Sequence, residues 1–197
     1  MSHVPRITPC RITASLAKSE HDGKKRQEPA KKGEISNLRL RDNKTPGTIA
    51  GEGASFFLLN REASPQNYAR IAGLATRFNP GLKPQASSFI EEYLSANNLG
   101  KSDIDLVILG INGDPDNDAI YNPVRNYFGE NTTQAWYKHL CGEHYLASSF
   151  ALWLGARIMK SRQVPEITLL TGYEIPAQST ISSFTIITIT FIIPSSC

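Results

Sequence analysis

Two short stretches of the chain concentrate side chains that can do chemistry. The first is "KHLCGEH", Lys138 to His144, which packs a lysine, two histidines, a cysteine and a glutamate into seven residues. The second is "DPDND", Asp114 to Asp118, with carboxylates at alternate positions. Zinc is the first chemistry to test. Cys141 and His144 make a C-x2-H pair and His139 precedes Cys141 by two, but a structural zinc needs four ligands, usually as two separated pairs. The remaining histidines and cysteines are His3, His21, Cys10 and Cys197, all near the chain ends, so no zinc site is expected. For calcium, Asp114, Asp116 and Asp118 match positions 1, 3 and 5 of a helix-loop-helix calcium loop. That loop also wants glycine at position 6 and glutamate at position 12, where this chain has Ala119 and Arg125. A polar turn capping the next helix is the expected reading. A Cys–His nucleophile would need a base beside Cys141. Nothing local marks the thiol as activated, and a small buried thiol is the commoner case. No metal and no cofactor is expected.

These residues must be positioned by a fold, and the composition allows one. The 197 residues are 40% hydrophobic and 20% charged, a globular balance. The net charge of +3 is unevenly spread: residues 1–50 carry eleven Lys/Arg against five Asp/Glu, the rest ten against thirteen. Residues 1–34 show neither helical nor strand periodicity and are expected to be a basic, disordered tail. A non-catalytic interaction module using that tail is the alternative function, although no nucleic acid partner is expected. Residues 35–170 read as the folded domain, in the order strand, strand, helix, strand, helix, strand, helix. "GASFFLLN" (53–60) suits a buried strand, "YARIAGLATRF" (68–78) a second, and "DIDLVILGI" (103–111) a central parallel strand. "SSFIEEYLSANN" (87–98) has helical spacing. "DAIYNPVRNYFG" (118–129) does too if Pro123 lies in the first turn, and "LASSFALWLGARIMK" (146–160) is apolar nearly all round, as a buried helix would be. The alternation predicts an α/β fold with a mixed sheet and packed helices.

Residues 171–197 are almost only Ser, Thr, Ile, Phe and Pro around "FTIITITFII" (184–193). The tract has strong β propensity and no charge to protect it. It is too short for a spanning helix, which needs about 20 residues. No membrane span is expected. Three cysteines without a CxxC point to a reducing compartment, and no signal peptide core opens the chain, so a cytoplasmic location is expected. The composition of 171–197 motivates the hypothesis of a shifted reading frame, extending to the first 34 residues; an intact frame across both junctions on resequencing would refute it.

Four segments of the middle resemble β-ketoacyl-acyl-carrier-protein synthases, the thiolase-like condensing enzymes of fatty-acid and polyketide assembly. "TPGTIAGEGASFFLL" (45–59) resembles the family's G-E-G-A segment and "YARIAGLA" (68–75) its Y-A-E-I-x-G strand. "SDIDLVILGINGDPDND" (102–118) resembles D-I-D-Y-I-x-x-H-G-T-x-T-x-x-N-D, and "YKHLCGEHYLASSFALWLGARIM" (137–159) resembles the K-x-x-x-G-H segment with its following small-residue helix. The wording is similar to a divergent subgroup found with aryl-polyene pathways. The match covers about 35–170 and implies a partial thiolase-like fold, its C-terminal half. It implies decarboxylative condensation of an acyl thioester with a malonyl carrier protein, and as partners an acyl carrier protein and a homo- or heterodimer with a full-length synthase. The family's chemistry needs a cysteine nucleophile and two histidines that stabilise carbanion and oxyanion.

Carried over by position, the first histidine falls on Gly110 and the second on Glu143, while the lysine is kept as Lys138 and the intervening glycine as Gly142. Ile111 and Asn112 replace the glycine and threonine after the first histidine, and Tyr121 stands where an acidic residue is expected. A glutamate carboxylate accepts hydrogen bonds but donates none. Glu143 is therefore expected to pair with Lys138 or with the N-terminus of helix 146–160. The resemblance implies an inactive fragment or a chain-length-factor-like subunit. A third possibility is an autonomous enzyme using Lys138, Glu143 and Asp114 or Asp118 in altered roles.

Overall fold

The computed structural model describes residues 10–17, 40, 42, 44–75, 86–170 and 186–189. In chain order the elements are strands β1 (Cys10–Ala17), β2 (Ala54–Asn60) and β3 (Ala69–Ile71), helix α1 (Ala86–Ala96), strand β4 (Leu106–Leu109), and helices α2 (Pro115–Asp118) and α3 (Asn122–Phe128). Strand β5 (Thr133–Trp136), helices α4 (Lys138–Cys141) and α5 (Ala147–Ser161) and strand β6 (Ile186–Ile189) complete them. From β2 to α5 this is the expected order of strands and helices, and the architecture is α/β.

The "LVIL" run of β4 is buried along its whole length, because β4 is the middle strand of a parallel sheet ordered β5-β4-β6. Leu106 and Ile108 face one layer, with Ala147, Phe150, Ala151, Leu154 and Ile158 of α5. Val107 and Leu109 face the other, with Ile90 and Leu94 of α1 and Val124 and Phe128 of α3. This alternation is the period of two along a strand. The helices meet it with residues three and four apart. Pro123 sits in the first turn of α3, where its missing N–H leaves no bond unmade. β5 contains no apolar run because Gln134 lies in it. The buried Gln134 amide is satisfied: it donates to the carbonyls of Arg125 (3.1 Å) and Gly129 (3.0 Å) and accepts from Arg125 Nε (3.2 Å).

α5 is apolar on more than one face because it has two neighbours. Its opposite side, at Leu152, Trp153 and Ala156, packs on Phe57, Tyr68, Ala69 and Ile71 of a second sheet, antiparallel and ordered β2-β1-β3. Three expectations are corrected here. β1 lies inside the segment 1–34 that was expected to be a disordered tail; its sequence "CRITASLA" alternates apolar and polar residues, a strand pattern masked by the surrounding lysines and arginines. The strand expected at 68–78 is regular only over Ala69–Ile71; residues 76–78 lie outside the described residues. β2 is a strand but not a buried one: it is a sheet edge, and Phe56 and Leu58, on the face away from α5, are 62% and 68% exposed. β6 lies within the tract 171–197, where it pairs in parallel with β4. The rest of that tract lies outside the described residues. Among the described residues, no helix is long and apolar enough to cross a membrane.

An uncharged, apolar edge strand is a template for pairing with another chain. The Phe56→Lys/Leu58→Lys variant is expected to reduce concentration-dependent self-association in sedimentation velocity while keeping the native circular dichroism spectrum.

Candidate functional site

In a parallel sheet, side chains that meet a ligand gather beyond the carboxyl ends of the strands. Here β4 runs into Gly110–Asp118 and β5 into Tyr137–His144, so the two chemically dense stretches are brought together by adjacent parallel strands. A third segment, residues 47–51, crosses them. Ala50 and Glu143 form a parallel bridge. Gly51 N–H donates to the Glu143 carbonyl (3.1 Å), and Glu143 N–H donates to the Ile49 carbonyl (2.8 Å). The crossing is possible only with glycine. A Cβ at Gly51 would lie 1.9 Å from the Cys141 carbonyl oxygen, and one at Gly142, whose φ is +69°, would lie 2.6 Å from Gly51 Cα.

The clamp sets Glu143 in place. Its carboxylate accepts from Lys138 Nζ in an ion pair and from Asn112 Nδ2 at 3.2 Å. Lys138 is 7% exposed and Glu143 13%, so this is a buried pair, held by its own mutual neutralisation. Of the two structural roles open to Glu143, the ion pair with Lys138 is the one observed. Asn112 extends the network, its Oδ1 accepting from Asp114 N–H at 3.0 Å.

The carboxylates of "DPDND" face backbone amides. Asp114 caps α2, accepting from the N–H groups of Asp116 (2.9 Å) and Asn117 (3.4 Å) through one oxygen and from Gly47 N–H through the other. Asp118 accepts from the N–H groups of Asn112 and Gly113, both at 2.9 Å. Burial raises the Asp118 pKa above the ordinary carboxylate value, with those amides and Lys138 working against the shift and Asp114 adding to it. Among the described residues no group of three or more His, Cys, Asp or Glu side chains is placed to hold a metal ion.

Cys141 is set against nucleophilic work. Burial, reinforced by the Glu143 carboxylate, pushes its thiol up to about 12, despite opposing contributions from Lys138 and a backbone hydrogen bond. Its S–H points to the Gly142 carbonyl at 3.3 Å. Nucleophilic cysteines sit in the opposite environment, one that lowers the pKa. His139 is directed elsewhere, stacked on Trp136.

Gly110 is the third of the sites carried over by position, and the space its side chain would need is taken. A Cβ there would lie 2.4 Å from Tyr121 Oη and 3.4 Å from Tyr137 Oη. The glycine at 110 and the tyrosine at 121 are thus complementary in volume. Gly110→His is expected to destabilise the chain by roughly 1–3 kcal/mol through overpacking. The Gly110→His/Tyr121→Ala variant should recover a measurable part of that loss, as read from urea midpoints.

No protein-family model, no curated protein and no solved structure matches this chain.

The structure brings Lys138 and Glu143 into contact and places Gly110 just beyond the end of β4, against Tyr121. Glycines at 47, 51 and 53 let the sequence suggest a tight turn or close backbone approach there; the site roles that sequence reasoning missed are those of Asn112 and of Gly142 as the partner of Gly51. Asn112 carries no signal on its own, being one of several polar residues in a loop. The crossing does leave a trace, in glycines at 51 and 142, but their meeting is a tertiary event.

Proposed function

We propose that this chain is a non-catalytic, condensing-enzyme-like subunit, a C-terminal half of thiolase-like design that works beside a catalytic β-ketoacyl synthase and an acyl carrier protein. The observation that carries the proposal is the neutralised lysine: Lys138 is buried against Glu143 at the carboxyl ends of two parallel strands. Gly110, where the resemblance would put the first histidine, has the Tyr121 hydroxyl 2.4 Å from the position of a Cβ. The convergence of 47–51, 110–118 and 138–143 on one corner supports the resemblance, because those are the segments in which the family's motifs were read.

Condensation needs a thiolate to take the acyl group and hydrogen-bond donors for the carbanion and oxyanion. Cys141 is held as a thiol. Glu143 accepts two hydrogen bonds where a donor is required. Neither half of the reaction has its reagent on this corner, so the proposed role is to complete or shape a partner's site.

The test is carbon dioxide release from malonyl carrier protein by the purified chain, alone and mixed with a full-length synthase, together with carrier-protein and synthase pull-downs. The expected result is no turnover alone and retention of both partners. Turnover by the chain alone overturns the non-catalytic assignment. Failure to retain either partner overturns the subunit assignment, and steeply salt-dependent nucleic acid binding would point instead to the basic N-terminal segment.

A further inference from the structure

His139 belongs to "KHLCGEH" but plays no part in the Lys138–Glu143 corner. It lies on α4, is 3% exposed, and its ring stacks on Trp136 with centroids 4.0 Å apart and planes 22° apart. Neither ring nitrogen has a hydrogen-bond partner. The Ile167 backbone favours the protonated ring, but by less than burial disfavours it.

A neutral imidazole in this place leaves one donor and one acceptor unsatisfied. A protonated one has two orphan donors and a buried charge, which packing cannot hold. No counter-charge is provided. β5 has no titratable side chain, and the turn 166–168 supplies only Glu166, which is exposed. α4 supplies Lys138, engaged by Glu143, and the half-buried, neutral thiol of Cys141.

We propose that His139 is an acid-operated latch: protonation expels its ring from beside Trp136, opens α4 away from residues 166–168, and so releases the Lys138–Glu143 pair. The coupling is covalent and short, since His139 follows Lys138 directly and α4 has only four residues, Lys138–Cys141. The inference does not depend on the condensing-enzyme assignment.

The sign follows from burial, which lowers the His139 pKa from 6.5 to about 4. A group depressed in the folded state contributes its stability above the unfolded value and loses it as pH falls through the window between 6.5 and about 4. Asp118 acts in the opposite sense. Its pKa is raised, so acidification relieves it, and it cannot be the source of an acid opening.

The experiment uses the full chain with Cys10→Ser and Cys197→Ser, so that Cys141 is the remaining thiol, and with Trp153→Phe, so that Trp136 is the remaining indole. Cys141 is labelled with 4,4′-dithiodipyridine, a reagent active at acidic pH, and rates are normalised to an unstructured peptide thiol. Labelling is expected to accelerate on the order of 100-fold between pH 6.5 and 4, with a change in Trp136 emission at the same midpoint. His139→Phe and His139→Leu should flatten both profiles while keeping the native circular dichroism at pH 7. A flat profile in the starting protein overturns the latch, as does an acid acceleration that persists in either folded variant. An NMR titration placing His139 at its ordinary value in the folded chain overturns it independently of any variant.

Discussion

Replacing Glu143 with leucine is expected to cost about 3–5 kcal/mol, a large part of the roughly 5–15 kcal/mol that holds a domain of this size. The loss comes less from the missing attraction than from what stays behind. Lys138 is 7% exposed, and without Glu143 it is a buried charge without its ion-pair partner, left with the more distant influence of Asp118, whose carboxylate is already bound to two backbone amides. Asn112 Nδ2 would lose its acceptor at the same time. Lys138→Met should cost a similar amount for the reciprocal reason. The double variant Lys138→Met/Glu143→Leu is expected to lie near the starting stability, because two apolar groups of similar volume need no neutralisation. Urea denaturation of the four proteins closes the cycle, and the coupling energy should approach the sum of the two single losses. Singles with near-zero cost would mean that the pair is solvated, and the inert-corner description would fail with it. The cycle also bears on function. A lysine whose loss is repaired by removing its glutamate is serving the fold.

Gly51→Ala and Gly142→Ala are each expected to cost about 3 kcal/mol or more, beyond ordinary overpacking, because the obstacle is backbone. A side chain can rotate away from an added methyl. The Cys141 carbonyl, 1.9 Å from a Cβ at Gly51, cannot move without moving α4 and Glu143. Gly142 adds the penalty of a side chain at φ +69°. Gly53→Ala is the control. The nearest atoms to its Cβ belong to the His144 ring at 3.6 Å, an ordinary contact, so its cost should stay below about 1 kcal/mol. The double variant Gly51→Ala/Gly142→Ala should cost less than the two singles together, since one methyl already separates the loops that the other would separate. Hydrogen exchange at the Gly51 and Glu143 amides reads the event directly, because both bonds across the crossing break together. Equal costs at 51 and 53 would show that the loops do not meet in this way.

The two experiments probe the same corner from different sides, one through charge and one through shape. A chain that loses the crossing releases the backbone that carries Glu143, so Gly51→Ala should weaken the Lys138–Glu143 coupling as well.

The elements that could be read from residue order are those with a local cause. Leu106–Leu109 is an unbroken apolar run, the pattern of a strand buried on both faces of a parallel sheet. α1, α3 and α5 repeat apolar residues at helical spacing, and Pro123 tolerates only a first turn. β5 was legible only as a missing strand in the alternation, because its Gln134 is satisfied by partners on α3 and the following turn. β1 is hard to see in the composition although its alternation is written in "CRITASLA", because the charge of the flanking residues outweighs an eight-residue pattern. β2 is a strand, as its apolar run predicts, but not a buried one. An apolar strand and its burial are separate facts, and the second depends on which layers are present to cover it.

By itself, the sequence determined that Lys138 and Glu143 stand five apart beside a glycine, and that no ordinary metal or nucleophile spacing surrounds them. It also determined the α/β alternation that carries them to the end of a sheet. Only the tertiary structure decided that the glutamate turns to the lysine, that Asn112 arrives from the loop after β4 to join them, that Tyr121 fills the space over Gly110, and that His139 faces the other way. The physical reason is range. Periodicity and propensity act over a few residues along the chain. Charge neutralisation, steric exclusion and the loss of water act across contacts between segments 31 to 67 residues apart, as Asn112–Glu143 and Gly47–Asp114 are.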